Sequence, residues 1–361
     1  MSVCWFEDLL FYIFWNETHM YLGINTHFIM KFEFEQGLQF AQDLGLKGME
    51  GMEVAAGGQA AKDYCDLDKL LADEGQRHRW LDAFARHDLE VVSLSCHGAP
   101  LMPEKNVAAE YRRQFRQACE LMEKIGIRRM TLVAGLPEGA EGDVCPVWIT
   151  QQTQEPNLSF WIDTLKWQWE KRLIPYWTEQ GKIAADHGVT LCFEMQVADL
   201  LNNPVKLKRF HEEIGPVVAC NFDISHMWAQ GIDPVSALRY LGPLVQHVHL
   251  KDTYINDYNV RLKGMNDTTS TREPSQRAWT FTQPGWGHDE STWREVIATL
   301  RFIGYDDILS LEMECEWLDV EEAIEKSADF IKPIMLERPA DPKWWEHANW
   351  RVRQHSSRED S

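Results

Sequence analysis

Apolar, β-rich runs alternate with amphipathic helical patterns along most of this chain. Strand-like runs occupy residues 21–27, 48–54, 89–96, 129–134, 189–194, 217–222, 245–250 and 307–312. Helical periodicity falls between them, at about 35–44, within 67–87, at 108–125, within 160–187, and at 204–214, 234–240, 291–302 and 320–331. Pro175 is expected to break or kink the helical stretch around it. Residues 253–288, between the seventh strand and its helix, read as a long loop. Repeated βα units predict a parallel sheet with helices outside it. Eight units argue for a closed (β/α)₈ TIM barrel. An open dinucleotide-binding sheet would carry a G-x-G-x-x-G turn after its first strand, and none is present.

Composition narrows this picture little. The 361 residues are 44% hydrophobic and 25% charged, ordinary for a globular chain. An α/β barrel of this length forms one domain. The expected division is an extension at 1–19, a barrel at 20–336 and a tail at 337–361. Apolar residues 9–15 are too few to span a bilayer and lack the flanks of a signal peptide. They read as an extension upstream of a start at Met20, or else as a helix across the barrel bottom. The tail holds Trp344, Trp345 and Trp350, which predicts packing on the barrel or on a second subunit, so a homo-oligomer is compatible.

Charge and cysteine usage exclude more. A net charge of -20 disfavours a nucleic-acid partner, and no apolar run calls for a membrane. The eight cysteines form no C-x-x-C pair, and a chain of this size needs no disulfide staple, which fits a reducing cytoplasm.

Chemistry in such a barrel gathers at the C-terminal ends of the strands. Four consecutive strands end there in ionisable residues: Glu194, Asp223, His249 and Glu312. Three carboxylates converging at one rim repel one another, and a divalent cation relieves that repulsion. Oxygen donors with one imidazole suit Mn²⁺ first, with Mg²⁺, Co²⁺ or Zn²⁺ as alternatives. The absence of thiolates from the set argues against a structural zinc site. His97 ends the third strand and His288 lies in the loop before the eighth; both are candidate substrate contacts. His27 is a weaker one. His247 shares a face with His249 one layer deeper and reads as structural. Asp252 reads as a supporting residue or a helix cap. Trp161, Trp167, Trp169 and Trp177 recur near helical spacing, which predicts packing rather than sugar stacking.

Several of these segments carry a resemblance. Leu191-Cys-Phe-Glu-Met195, Asn221-Phe-Asp-Ile-Ser-His-Met-Trp228, Val248-His-Leu-Lys-Asp252, Pro284-Gly-Trp-Gly-His288 and Gly304-Tyr-Asp-Asp-Ile-Leu-Ser-Leu-Glu312 resemble the xylose isomerase-like sugar phosphate isomerase/epimerase family. The likeness is clearest from Pro175 to Pro333. It implies a metal held by Glu194, Asp223, His249 and Glu312, with His226 facing substrate oxygens and Lys251 lining the pocket. Many relatives carry E-M-H-P and E-H-E-D where this chain has Glu194-Met-Gln-Val197 and Glu312-Met-Glu-Cys315, so the substrate does not transfer.

The chemistry that fits is proton abstraction next to the carbonyl of a keto-sugar, through a metal-stabilised enediolate, with Glu194 and Glu312 as the acid–base pair. The expected partner is therefore a sugar-like small molecule and the expected activity an isomerase or epimerase. The alternative on the same barrel is a lyase, either dehydrating or glycoside-eliminating. A DNA-repair endonuclease is remote: the fourth strand ends in Val133-Ala-Gly135 without a histidine, and Trp286 stands where that pattern wants Asp. A non-catalytic binding protein would have lost a ligand, and none is lost.

Overall fold

The computed structural model describes residues 19–45, 50–57, 61–150 and 160–338. The apolar segment 9–15, most of the expected tail with its three tryptophans, the start of the second predicted strand at Gly48 and the side chain of Trp161 lie outside the described residues.

Ten strands follow in chain order: β1 (Tyr21–Asn25), β2 (Glu50–Ala55), β3 (Leu89–Ser95), β4 (Arg129–Leu132), β5 (Thr190–Glu194), β6 (Val218–Asp223), β7 (Val245–Leu250), β8 (Asp252–Ile255), β9 (Trp279–Thr282) and β10 (Ile308–Leu311). Eight of them, β1 to β7 and β10, close into a barrel of parallel strands in sequential order, with β1 paired to both β2 and β10. All eight predicted runs are present, so the fold is the expected (β/α)₈ barrel.

The expected loop 253–288 is the main difference. β8 and β9 pair antiparallel within it, Asp252 opposite Thr282, and enclose the helix Asp257–Lys263. Each strand is only four residues long, too short for its alternation to stand out from loop composition.

Helical structure runs on through Pro175, but the regular α-helix is interrupted just before it. Residues Gln168–Leu173 widen into a π-helical turn between Phe160–Trp167 and Ile174–Asp186. A π-turn is one way to accommodate the donor that proline lacks. It also turns Gln168 inward, where its amide donates to the carbonyls of Glu138 at 3.1 Å and Val147 at 2.7 Å, pinning the segment after β4.

Packing accounts for Trp169 and Trp177 as expected. Trp177 is buried against Phe193 of β5, ring centroids 4.7 Å apart, and its indole N–H donates to Ala134 O at 3.0 Å. Trp169 is buried too, with its N–H on Glu213 at 2.9 Å. Helix starts are fixed by side-chain caps, such as Asn203 on Lys206 N and Asp233 on Ser236 N, each followed by proline.

Two register irregularities matter for the site. One lies between Met52 and Glu53 of β2, the other between Cys220 and Asn221 of β6. Such shifts re-aim side chains, and both Glu53 and Asn221 sit fully buried inside the barrel.

Candidate metal centre

Barrel register brings the four strand ends together. Asp223 pairs with His249, His249 with Ser310, and Glu194 with Asn221. Glu194, Asp223, His249 and Glu312 each offer one donor atom, and these atoms all lie within 4.8 Å of one another. All four residues are buried.

Their hydrogen bonds fix their orientation. Glu194 accepts from His226 Nε2 at 3.0 Å through one oxygen, and from Asn221 Nδ2 at 3.1 Å through the other, which also lies 3.2 Å from His97 Nε2. His249 Nδ1 lies 3.1 Å from Glu194 and 3.2 Å from Glu312, while its Nε2 points away to Glu53 at 2.7 Å. Lys251 Nζ donates to Glu312 at 2.6 Å and Glu314 at 2.8 Å, and approaches Asp223 Oδ2 at 2.9 Å. That last contact is off the hydrogen-bonding direction, which leaves the buried Asp223 Oδ2 with no hydrogen bond.

The electrostatics follow from burying so many charges together. Burial and hydrogen bonding oppose each other at Glu194, and the three histidines that contact it hold it well below the usual carboxylate range. Burial also works against ionisation of Glu312, but His249 and Lys251 hold its pKa low. At Asp223 burial wins and the pKa rises despite Lys251. Burial would lower the pKa of His249, yet Glu312 and Glu53 raise it well above the ordinary imidazole value. Burial likewise opposes the Lys251 ammonium, and Asp223, Glu312 and Glu314 keep it charged. A proton on His249 and the Lys251 ammonium thus balance carboxylates that a divalent cation would neutralise. The donor set and the unbonded Asp223 oxygen fit such an ion.

Other expected residues fall at different distances from this centre. His226 is buried against it, 3.4 Å from Asp223 Oδ2, and packs edge-on to Phe281. His97 is partly exposed and held by Ser95 Oγ at 2.7 Å. A cavity of about 380 Å³ opens beside the centre, and His97, His27, Gln196, Glu312 and Glu314 line it. His288 is held elsewhere. Its Nδ1 donates to Asp252 at 2.7 Å and its ring stacks on Trp228 at 3.8 Å. Asp252 does more than the support expected of it. It accepts from Thr253 N, Gly285 N, Gly287 N, His288 N and Trp293 Nε1, so it anchors the whole 285–288 loop.

Sequence reasoning missed Glu53. From β2 it reaches across the barrel beneath the four candidate ligands and accepts from His249, His247 at 3.1 Å, Ser310 at 3.1 Å and Thr131. By taking His249 Nε2–H it leaves Nδ1 facing Glu194 and Glu312. Carboxylates of this kind orient metal-ligating imidazoles and raise their basicity. The one signal in the sequence is a lone charged residue in the apolar run Met52-Glu-Val-Ala55. His247 is deep and structural in position, as expected, and burial lowers its pKa.

Known proteins supply a context for this geometry. A protein of Bacillus subtilis, uncharacterized YfiH, is 32% identical over 87% of this chain and 98% of its own length. The crystal structure of the probable 3-DHS dehydratase AsbF of Bacillus anthracis superposes with a TM-score of 0.59 at 17% identity, covering 86% of this chain and 98% of that one. The 3-keto-D-glucoside 4-epimerase YcjR of E. coli gives 0.54 at 14% identity, covering 87% and 98%. Such identities establish a shared fold. Among the described residues no helix is long and apolar enough to cross a membrane. The family model described as xylose isomerase-like TIM barrel matches residues 38–334, and the chain belongs to that family.

Proposed function

We propose that this protein is a metal-dependent isomerase or epimerase of a keto-sugar or sugar derivative. The observation that carries the reading is the convergence of Glu194, Asp223, His249 and Glu312 on one point beside a cavity. These four residues would hold a divalent cation, Mn²⁺ by preference, which would supply Lewis-acid polarisation of a substrate carbonyl. The protein's own residues do the rest.

One carboxylate of the Glu194–Glu312 pair removes the proton from the carbon bearing the hydroxyl. The electron pair moves into a new C=C bond and the carbonyl oxygen becomes an oxyanion. Return of a proton to the opposite face of the same carbon inverts it and restores the carbonyl. His226 is placed to hydrogen-bond developing negative charge, and His97 approaches Glu194 from the cavity side. Burial excludes water around the pair, which strengthens each of these contacts.

A second reading, β-elimination from the same enediolate, draws on Lys251. Its ammonium sits 2.6 Å from Glu312 and is a proton donor for a departing oxygen. The likeness to a probable dehydratase supports it as well. Incubating the metal-loaded enzyme with a ketose panel in D₂O separates the two. Deuterium at one carbon of an epimeric product supports the first reading. An enone absorbance or a released aglycone supports the second. A panel with neither would overturn both.

A further inference from the structure

We infer that the substrate of this site is an uncharged polyhydroxy ketone carrying neither phosphate nor carboxylate. The inference rests on the reading above of the cavity as the substrate site, and it adds the chemical class.

Apart from the carboxylates Glu312 and Glu314, the polar side chains on the cavity wall are amides, hydroxyls and imidazoles. Asn25, His27, Ser95, Tyr111, Gln114 and Gln196 face it, and among the described residues lining it there is no lysine or arginine. Amides and hydroxyls both donate and accept, which matches sugar hydroxyls that do the same. Phosphate and carboxylate are recognised differently, by guanidinium forks, ammonium groups or nests of backbone N–H groups.

Two glycines show that this wall is built rather than incidental. Gln114 and Tyr111 come from the helix Lys105–Ile125, outside the barrel, and must reach over its rim. They pass across Gly57 and Gly98. A Cβ at Gly57 would collide with the Gln114 amide, and one at Gly98 with the Tyr111 ring. Gly57 also has φ of 84°, a conformation side chains disfavour.

Lys251 reaches the cavity edge through Glu312 and Glu314, and it is already committed. Asp223, Glu312 and Glu314 surround it, and it sits 4.7 Å over the Phe281 ring. Lys251 therefore has three carboxylate neighbours of its own and no unpaired face to offer an anion. Glu314 matters most for discrimination, because it is about half exposed and lines the cavity itself. An anionic substituent would meet like charge here, which costs affinity steeply.

The experiment is calorimetric titration of the Mn²⁺-loaded protein, free metal buffered, with ligand pairs that differ in the charged group. One pair is a ketohexose and its 6-phosphate. The other is a neutral cyclitol ketone and a cyclitol carboxylate. The neutral member of each pair should bind at least about tenfold more tightly, and the gap should widen at low ionic strength. Glu314→Gln should narrow the gap. Equal or tighter binding of either charged member overturns the inference, as does failure of every neutral member to bind. An unchanged gap in Glu314→Gln overturns the role given to that residue. These outcomes are separate from the D₂O experiment: a neutral ketose that binds without exchange or elimination sinks the proposed reaction and leaves the substrate class standing.

Discussion

The two halves of the barrel rim divide the labour. From β5 to β10 the strand ends deliver charge: Glu194, Asp223, His249, Lys251 and Glu312, all buried. From β1 to β4 the rim is almost free of it, and Asn25, His27, Ser95 and His97 form most of the polar cavity wall with Tyr111 and Gln114. Glu53 is the exception in the second half, and it lies a layer below the rim, turned toward His249. On the proposed reading, the contrast separates the residues of reaction from those of recognition. Charge is concentrated where four consecutive strands can share one ion. On that same reading, selection falls to the uncharged side chains of the wall together with Glu314 at its edge.

The sharpest way to break this division is at the charged half. Glu312→Gln keeps an oxygen for the metal but removes a base. Turnover should fall by about 10²- to 10⁴-fold with bound metal retained, measured by steady-state rates alongside metal content. Near-normal turnover in pure protein would remove Glu312 from the acid–base pair.

The seam between the halves gives the next largest effect. Asp199, in the segment after β5, accepts from Gly135 N at 2.9 Å after β4 and from Leu201 N at 2.8 Å. Burial pushes its carboxyl from 3.8 up to about 7. The native state therefore holds this proton more tightly than the unfolded chain. The associated stability is complete below about pH 4 and is lost as pH rises through about 7. Between those limits the protein should lose up to roughly 4 kcal/mol, because each tenfold difference in proton affinity is worth ~1.4 kcal/mol. Asp199→Asn cannot ionise, so its denaturant-unfolding free energies should vary less with pH. Parallel pH profiles for the two proteins would exclude this origin.

Glu53 tests whether the neutral half truly stands apart. Glu53→Gln should weaken metal binding by about 10- to 100-fold, read by equilibrium dialysis on protein whose circular dichroism is unchanged. Intact metal affinity would mean that His249 is oriented without it. The smallest effect belongs to recognition alone. Tyr111→Phe removes one hydroxyl from the wall, and loss of one neutral hydrogen bond should raise KM by about 3- to 10-fold. kcat and metal content should stay close to the parent, and a fall in kcat instead would place Tyr111 in the chemistry.

How legible each half is in the sequence follows from the same division. Strand ends are fixed by hydrophobic runs, so Glu194, Asp223, His249 and Glu312 can be read as a set from the sequence alone. The wall cannot. Tyr111 and Gln114 sit on an outer helix with ordinary amphipathic spacing, and only Gly57 and Gly98 mark where they cross. Glu53 is hidden for another reason: it depends on a register shift beside Met52, which periodicity does not reveal. The β8–β9 ribbon escapes periodicity because its strands are short. His288 reads as a candidate substrate contact from its loop position, yet its placement rests on Asp252 and Trp228, residues far away in sequence.

The saturation of Asp252 has a kinetic consequence. One carboxylate receives the amides of Thr253, Gly285, Gly287 and His288 together with the ring N–H groups of His288 and Trp293. Those amides cannot open one at a time without leaving a buried charge under-bonded. They should exchange with solvent deuterium as one cooperative unit, sharing a single opening free energy. The loop beside this rim would then behave as a panel that moves whole or stays shut.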